Sequence, residues 1–203
     1  MNRRPAGKPA ALDPTLAEYF SGMRVRTPVP DDAPALGRLH AAAWHAAYTG
    51  HMPQDFLDTI TAERRIAYWR RMLATERGER EWLGVAETDQ GVVVGCVHTG
   101  VQVVQGDDGD SADEIDPDTG ELYAINVAPD QWGIGAGSAL MAATLDALAD
   151  AGFQRAVLWV LPTNDRARRF YEKHGWAADG SAREITIATA TIPEIRYARE
   201  LDR

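Results

Sequence analysis

The segment from Glu121 to Met141 sets the tightest constraint on what this chain can fold into. Glu121-Leu-Tyr-Ala-Ile-Asn-Val127 reads as a strand, and Pro129-Asp130 follow it. Gly133, Gly135 and Gly137 come next at every second position, and then Leu140, Met141, Leu145 and Leu148 recur on one side of a helix that Gly152 closes. A strand that turns through glycines into a helix leaves amide N–H groups uncovered at a helix N-terminus, which makes a site for phosphate. The full Gly-x-Gly-x-x-Gly spacing and the Gly-Lys-Ser/Thr ending of a P-loop are both missing. Taken alone, the run is as well read as a plain glycine-rich turn.

The remaining residues supply a mixed order of strands and helices without repeats. Residues 1–22 read as a tail followed by a short helix opened by Asp13-Pro14, and residues 23–203 as one domain. Met23 to Thr27 is a strand. Asp31 or Asp32 caps a helix with Pro34 in its first turn and Leu36, Leu39, Ala43, Trp44 and Ala47 along one side. One further helical stretch after Pro53 carries Ile66, Trp69 and Leu73. Trp82 to Glu87 and Val92 to Val104 form strands joined at Asp89-Gln90-Gly91. Ala156 to Leu161 is an apolar strand buried on both faces, Asn164 to His174 a helix, and two strands near 184–190 and 194–200 finish the chain.

Composition narrows the function. A chain of 203 residues with 45% hydrophobic and 25% charged side chains is an ordinary globular protein, and no apolar run approaches the ~20 residues of a membrane helix. The net charge of -9 argues against nucleic acid as a partner. Most of that charge sits in one place, since residues 106–121 hold eight acidic side chains and no Lys or Arg. Such a segment attracts a cationic acceptor or is simply a solvated loop. Cys96 stands alone, and the five histidines show no ligand spacing, so neither a disulfide nor a metal centre is expected. A chain start without a signal peptide and a single thiol together point to the cytoplasm.

Residues 121–176 resemble the GNAT superfamily of acetyl-CoA-dependent N-acetyltransferases. The resemblance is carried by Glu121-Leu-Tyr-Ala-Ile-Asn-Val, by Pro129-Asp-Gln-Trp-Gly-Ile-Gly-Ala-Gly-Ser-Ala-Leu-Met, and by Asn164-Asp-Arg-Ala-Arg-Arg-Phe-Tyr-Glu-Lys-His-Gly-Trp176. Ala43-Trp-His-Ala-Ala-Tyr-Thr-Gly50 is similar to the N-terminal half of many bacterial members, which extends the likeness over about residues 23–200. One position departs. Aligning the family's Gln/Arg-x-x-Gly-x-Gly/Ala on Gly135 and Gly137 puts Trp132 where Gln or Arg stands, with Gln131 before it. The main-chain donors survive that change, whereas the side-chain contact does not carry over.

The resemblance implies an α/β fold: a central twisted, mostly antiparallel sheet, splayed between its fourth and fifth strands and flanked by helices. The pantetheine arm of acetyl-CoA would enter the split against Ile125, Asn126 and Val127, pairing as an added strand does. Its pyrophosphate would lie on the amides of Gly133, Ile134, Gly135, Ala136, Gly137 and Ser138, with Trp132 and Asn164 as further cofactor-binding residues. Glu121 stands where several members carry the general base, and Tyr171 matches the tyrosine that protonates the leaving thiolate. Seven residues separate Asn164 from Tyr171, two helical turns, so they share a face. Bland readings stay beside these: Asn164 as a helix cap, Tyr171 as core, and Arg166, Arg169 and Lys173 as a solvated row. Trp159 replaces the glutamate that acetylases of protein N-termini often carry five residues before the asparagine, which lowers that reading. The expected activity is acetyl transfer from acetyl-CoA to a primary amine of a small molecule or peptide through a ternary complex, in a chain that can pair as a homodimer. The alternative is a non-catalytic acyl-CoA-binding or interaction module of the same fold.

Overall fold

A computed structural model describes residues 23–103, 116–187 and 190–202. The tail, the helix expected after Asp13-Pro14 and the acidic residues Asp107 to Glu114 lie outside that range. The first half contains β1 (Met23–Arg26), α1 (Ala33–Tyr48), α2 (Gln54–Leu57), α3 (Ala62–Ala74), β2 (Trp82–Thr88) and β3 (Val93–Val101). The second half contains β4 (Thr119–Val127), α4 (Ala136–Asp150), β5 (Arg155–Val160), α5 (Asp165–Lys173), β6 (Ala177–Ile187) and β7 (Ala190–Glu200). None of the described helices is long and apolar enough to cross a membrane.

The strands form one sheet in the order β1-β2-β3-β4-β5-β7-β6. Neighbours run antiparallel except β4 and β5, which are parallel. Alternation along the strands feeds two cores. On one face Val97, Leu122 and Leu158 pack with Leu140, Met141 and Leu148 of α4 and with Trp176 and Tyr197. On the other, Leu83, Val85 and Cys96 pack with Leu36 and Leu39 of α1 and Trp69 of α3. Leu36 and Leu140 are wholly buried, each worth about 2 kcal/mol of transfer free energy.

Two departures from regular pairing shape the middle of the sheet. The β4–β5 ladder joins only Thr119, Gly120 and Glu121 to Arg155, Ala156 and Val157, so the two strands separate beyond Glu121. In the β3–β4 ladder, His98 faces Ala124 and Thr99 faces Leu122, which leaves Tyr123 as a bulged residue without a partner. The seam therefore opens on the side of β4 that ends in the glycine turn.

The expected elements recur with three differences. The stretch after Pro53 is two helices, because Thr61 starts a new one by accepting the Arg64 amide on its side chain. Asp32 precedes α1 yet does not cap it: its carboxylate is buried, takes two hydrogen bonds from Arg26 and accepts the Val29 amide. The last two strands are longer than the apolar pattern suggests, because β6 is an edge strand with mostly exposed side chains held by its ladder to β7.

Candidate active site

The open seam forms a cleft of about 910 Å³, a volume suited to a cofactor-sized molecule. Its walls are the end of β4 (Ile125, Asn126, Val127), the turn from Trp132 to Gly135, the first turn of α4 and the inner side of α5. Of the residues expected from sequence, all line this cleft except Ala136 and Glu121. Ala136 is 1% exposed as a whole residue and packs in the core behind the turn.

The turn explains itself through its backbone. Gly133 and Gly135 have φ of 85° and 96°, the left-handed region where a Cβ is strained, and Gly135 is the residue that starts α4. None of the six amides from Gly133 to Ser138 donates to a carbonyl or side chain among the described residues. A Cβ on Gly137 would meet the Phe170 ring at 3.2 Å, so its lack of a side chain lets α5 close on α4. The result is a row of free donors at a helix N-terminus, open to an anion.

Trp132 has two roles of its own. Its indole N–H donates to the Val127 carbonyl at 2.9 Å, which ties the turn back to the strand end. Its ring lies 3.5 Å below the Arg166 guanidinium, a cation–π contact. Arg166 lines the cleft and has no carboxylate partner among the described residues; burial lowers its pKa. A cation thus reaches the cradle from α5, where the family motif would supply one from the turn. His174 joins α4 to α5: Nδ1 donates to the Phe170 carbonyl at 2.7 Å, and Nε2 shares a hydrogen bond with the Ser138 hydroxyl at 3.0 Å.

On α5 both readings of Asn164 coexist. Its side-chain oxygen caps the helix by accepting the Ala167 amide at 3.1 Å, and the residue also borders the cleft. Tyr171 lies two turns along on the same wall, its ring against Phe170, Trp176 and Tyr197. Burial, reinforced by the nearby Tyr48 phenol, pushes its pKa well above the usual tyrosine range, so it keeps its proton at neutral pH.

Glu121 sits apart. It is 6% exposed at the closed end of the seam, paired to Val157, and its carboxylate accepts the Val103 amide at 2.8 Å. Burial raises its pKa against that hydrogen bond. Two further residues enter the site, Tyr48 from the Ala43–Gly50 stretch and His51, which the sequence did not single out as a site residue. Tyr48 and His51 line the cleft beside Thr163, and His51 Nδ1 bonds the Thr163 hydroxyl at 2.9 Å, bridging the end of α1 to the loop after β5. Burial, then Glu194, pushes the Tyr48 phenol up to about 12. The Tyr48-Thr-Gly50 turn was the available signal. Among the described residues no cluster of ligating side chains could hold a metal.

Known proteins with this arrangement are numerous. The fold matches the PaiA N-acetyltransferase of Thermoplasma acidophilum, solved with coenzyme A, at a TM-score of 0.66 and 14% identity over 88% of this chain and 98% of that one. "Probable N-acetyltransferase Rv2775" of Mycobacterium tuberculosis is 25% identical over 87% of this chain and 93% of its own length. The mycothiol acetyltransferase of Rhodococcus jostii is 29% identical over 86% of this chain. The chain spans about half the length, or less, of the mycothiol acetyltransferases it matches. The family model for GNAT acetyltransferases covers residues 36–176, the stretch that runs from α1 through the free amides of the turn to the end of α5. With the split sheet and the glycine cradle both inside that match, the chain belongs to the GNAT family of acetyltransferases.

Proposed function

We propose that this protein transfers an acetyl group from acetyl-CoA directly to a primary amine, with both substrates bound together. The observation that carries the reading is the row of six uncommitted amides beside an open strand edge. These residues fit the cofactor. A diphosphate needs donors without side chains in the way, and Gly133 has nothing within 4 Å of where a Cβ would stand. A pantetheine arm needs backbone groups to pair with, and beyond Glu121 the β5 side of β4 is without a strand. Arg166 adds a cation for a phosphate, stacked on Trp132.

Bound acetyl-CoA supplies a thioester carbonyl open to attack by a neutral amine. The chain's own part is to orient and to manage protons. Ile125, Asn126 and Val127 hold the arm in the seam, and Gly133 to Ser138 anchor its charged end. Tyr171, kept protonated by burial, holds a proton at its phenol oxygen for the departing sulfur. An amine arrives as an ammonium near pKa ~10.4 and must lose a proton first, a task for which Glu121 is one candidate.

The acceptor is a small molecule or peptide. The names of the mycothiol acetyltransferases among its relatives make a mycothiol-like amine the first to try. The free, buried Cys96 is compatible with a reducing cytoplasm. The test is release of free thiol from acetyl-CoA in the presence of an amine panel. Thiol release that depends on one class of amine is expected. Tight acetyl-CoA binding with no release by any amine would instead favour a binding module.

A further inference from the structure

On the face of the sheet that packs against α1 and α3, one strand away from the seam, lies a second group of polar residues. His98 of β3 holds Glu81 at 2.6 Å between Nε2 and Oε1, and the other Glu81 oxygen accepts the Gly78 amide at 3.2 Å. The pair is partly exposed, with 20% and 28% of the two side chains in solvent. His98 faces Ala124 across the β3–β4 ladder, and the bulge beside it brings the Tyr123 ring to 4.8 Å from the imidazole. His98, Ala124 and Asn126 line a crevice of about 30 Å³, room for one water. Asn126 lines the large cleft as well, so the two spaces share a wall.

From this geometry, and resting on the acetyltransferase reading above, we propose that His98 takes the proton from the acceptor ammonium and that Glu81 positions it. An ionised carboxylate only accepts, so Nε2 carries the hydrogen toward Glu81 and Nδ1 keeps a lone pair. In the step, an N–H bond of the ammonium breaks, its electron pair stays on the amine nitrogen, and an Nδ1–H bond forms, directly or through one water. The imidazolium is stabilised by Glu81 and then releases the proton to solvent past that exposed carboxylate. As the C–N bond forms and the C–S bond breaks, Tyr171 gives its phenol proton to the sulfur, and the second proton of the amine nitrogen passes to the Tyr171 oxygen, directly or through water, which leaves a neutral amide, a neutral thiol and a restored phenol.

The surroundings set the pH range. Facing His98 are Glu81 and Arg77 from the segment before β2, Tyr123 and beyond it Glu121 from β4, and His40, Tyr68 and Cys96 around the crevice. Burial lowers the His98 pKa, Glu81 raises it and Arg77 lowers it, and the net shift is downward from the usual histidine range. Burial raises Glu81, and the His98 bond and Gly78 amide outweigh it, leaving the carboxyl below its usual range. At neutral pH the pair is therefore a neutral imidazole on a carboxylate. Glu121 lines neither space.

The experiment follows kcat/KM against pH for the full chain and for His98→Gln, Glu81→Gln and Glu121→Gln, with an amine that the unaltered protein acetylates. His98→Gln is expected to lose about 10²-fold at pH 7, with the deficit shrinking as pH approaches the amine's own pKa. Glu81→Gln is expected to lose less and to move the acidic limb to lower pH. Calorimetric CoA affinity and Tm should stay unchanged in both. The proposal is overturned if His98→Gln keeps the rate and limb, if its loss is equal at every pH, or if the limb moves only in Glu121→Gln. As a readout free of turnover, 15N resonances of His98 should show the neutral Nε2–H form at pH 7, and an imidazolium there would also overturn it. No turnover by the unaltered chain with any amine would defeat the transfer reading and this one together. A normal His98→Gln in an active protein defeats this one alone.

Discussion

Tyr171 and His40 show how burial acts on single side chains in opposite settings. Tyr171 is a donor whose burial keeps its proton in place. Tyr171→Phe should lower kcat by about 10²-fold and leave calorimetric CoA affinity unchanged, because only the hydroxyl is lost. Equal kcat would remove the phenol from the reaction. His40 is 8% exposed, stacked on Trp44 and edge-on to Tyr68 and Trp69, with neither ring nitrogen bonded among the described residues. Burial, aided by Arg65, lowers its pKa to about 4 from 6.5. The unfolded chain therefore binds a proton first as pH falls. His40 contributes stability that is whole above pH 6.5 and is lost toward pH 4, about 3 kcal/mol in all. Tm should fall between pH 7 and 5, and His40→Phe should flatten that part of the curve. A slope unchanged in His40→Phe would place the titration elsewhere. The sequence carried the motif residues such as Asn164 and Tyr171, whose spacing is local. It gave no sign of the His98–Glu81 pair, which is 17 residues apart and meets only once β2 and β3 are laid side by side.

Among the elements, the turn from β4 into α4 is the most exacting. Gly135 begins α4 at φ 96°, where a β-branched residue is strained by roughly 1–2 kcal/mol and would push the neighbouring amides out of line. Gly135→Val should weaken CoA binding by about tenfold or more by calorimetry, with the sheet's circular dichroism retained; unchanged affinity would move the phosphate site off this turn. Apolar periodicity revealed β4, α4 and β5 because each buries a face in one core. It blurred β6, whose residues alternate between half-buried and exposed and whose order comes from backbone pairing. The break between α2 and α3 hides in Thr61, a cap whose signal is one hydroxyl among several polar residues.

At the scale of the whole molecule, the family's split sheet follows from a short parallel ladder between β4 and β5 within an otherwise antiparallel sheet. That arrangement was legible through the order of two motifs, since most of the cleft's lining lies within residues 121–176. The remaining wall was not, because Ala43, Ala46, Ala47, Tyr48 and His51 reach the cleft from α1 and the turn after it, far from that stretch in sequence. Tyr48, for instance, feels Glu194 from the far end of the chain. The central claim concerns where the cofactor's backbone-seeking parts come to rest. Hydrogen–deuterium exchange with and without CoA reads those amides directly. The account predicts rapid exchange at Gly133 to Ser138 in the free protein and strong protection there and at Ile125 to Val127 once CoA is bound. Protection confined to other segments, or none at all in a protein saturated with CoA, would contradict it.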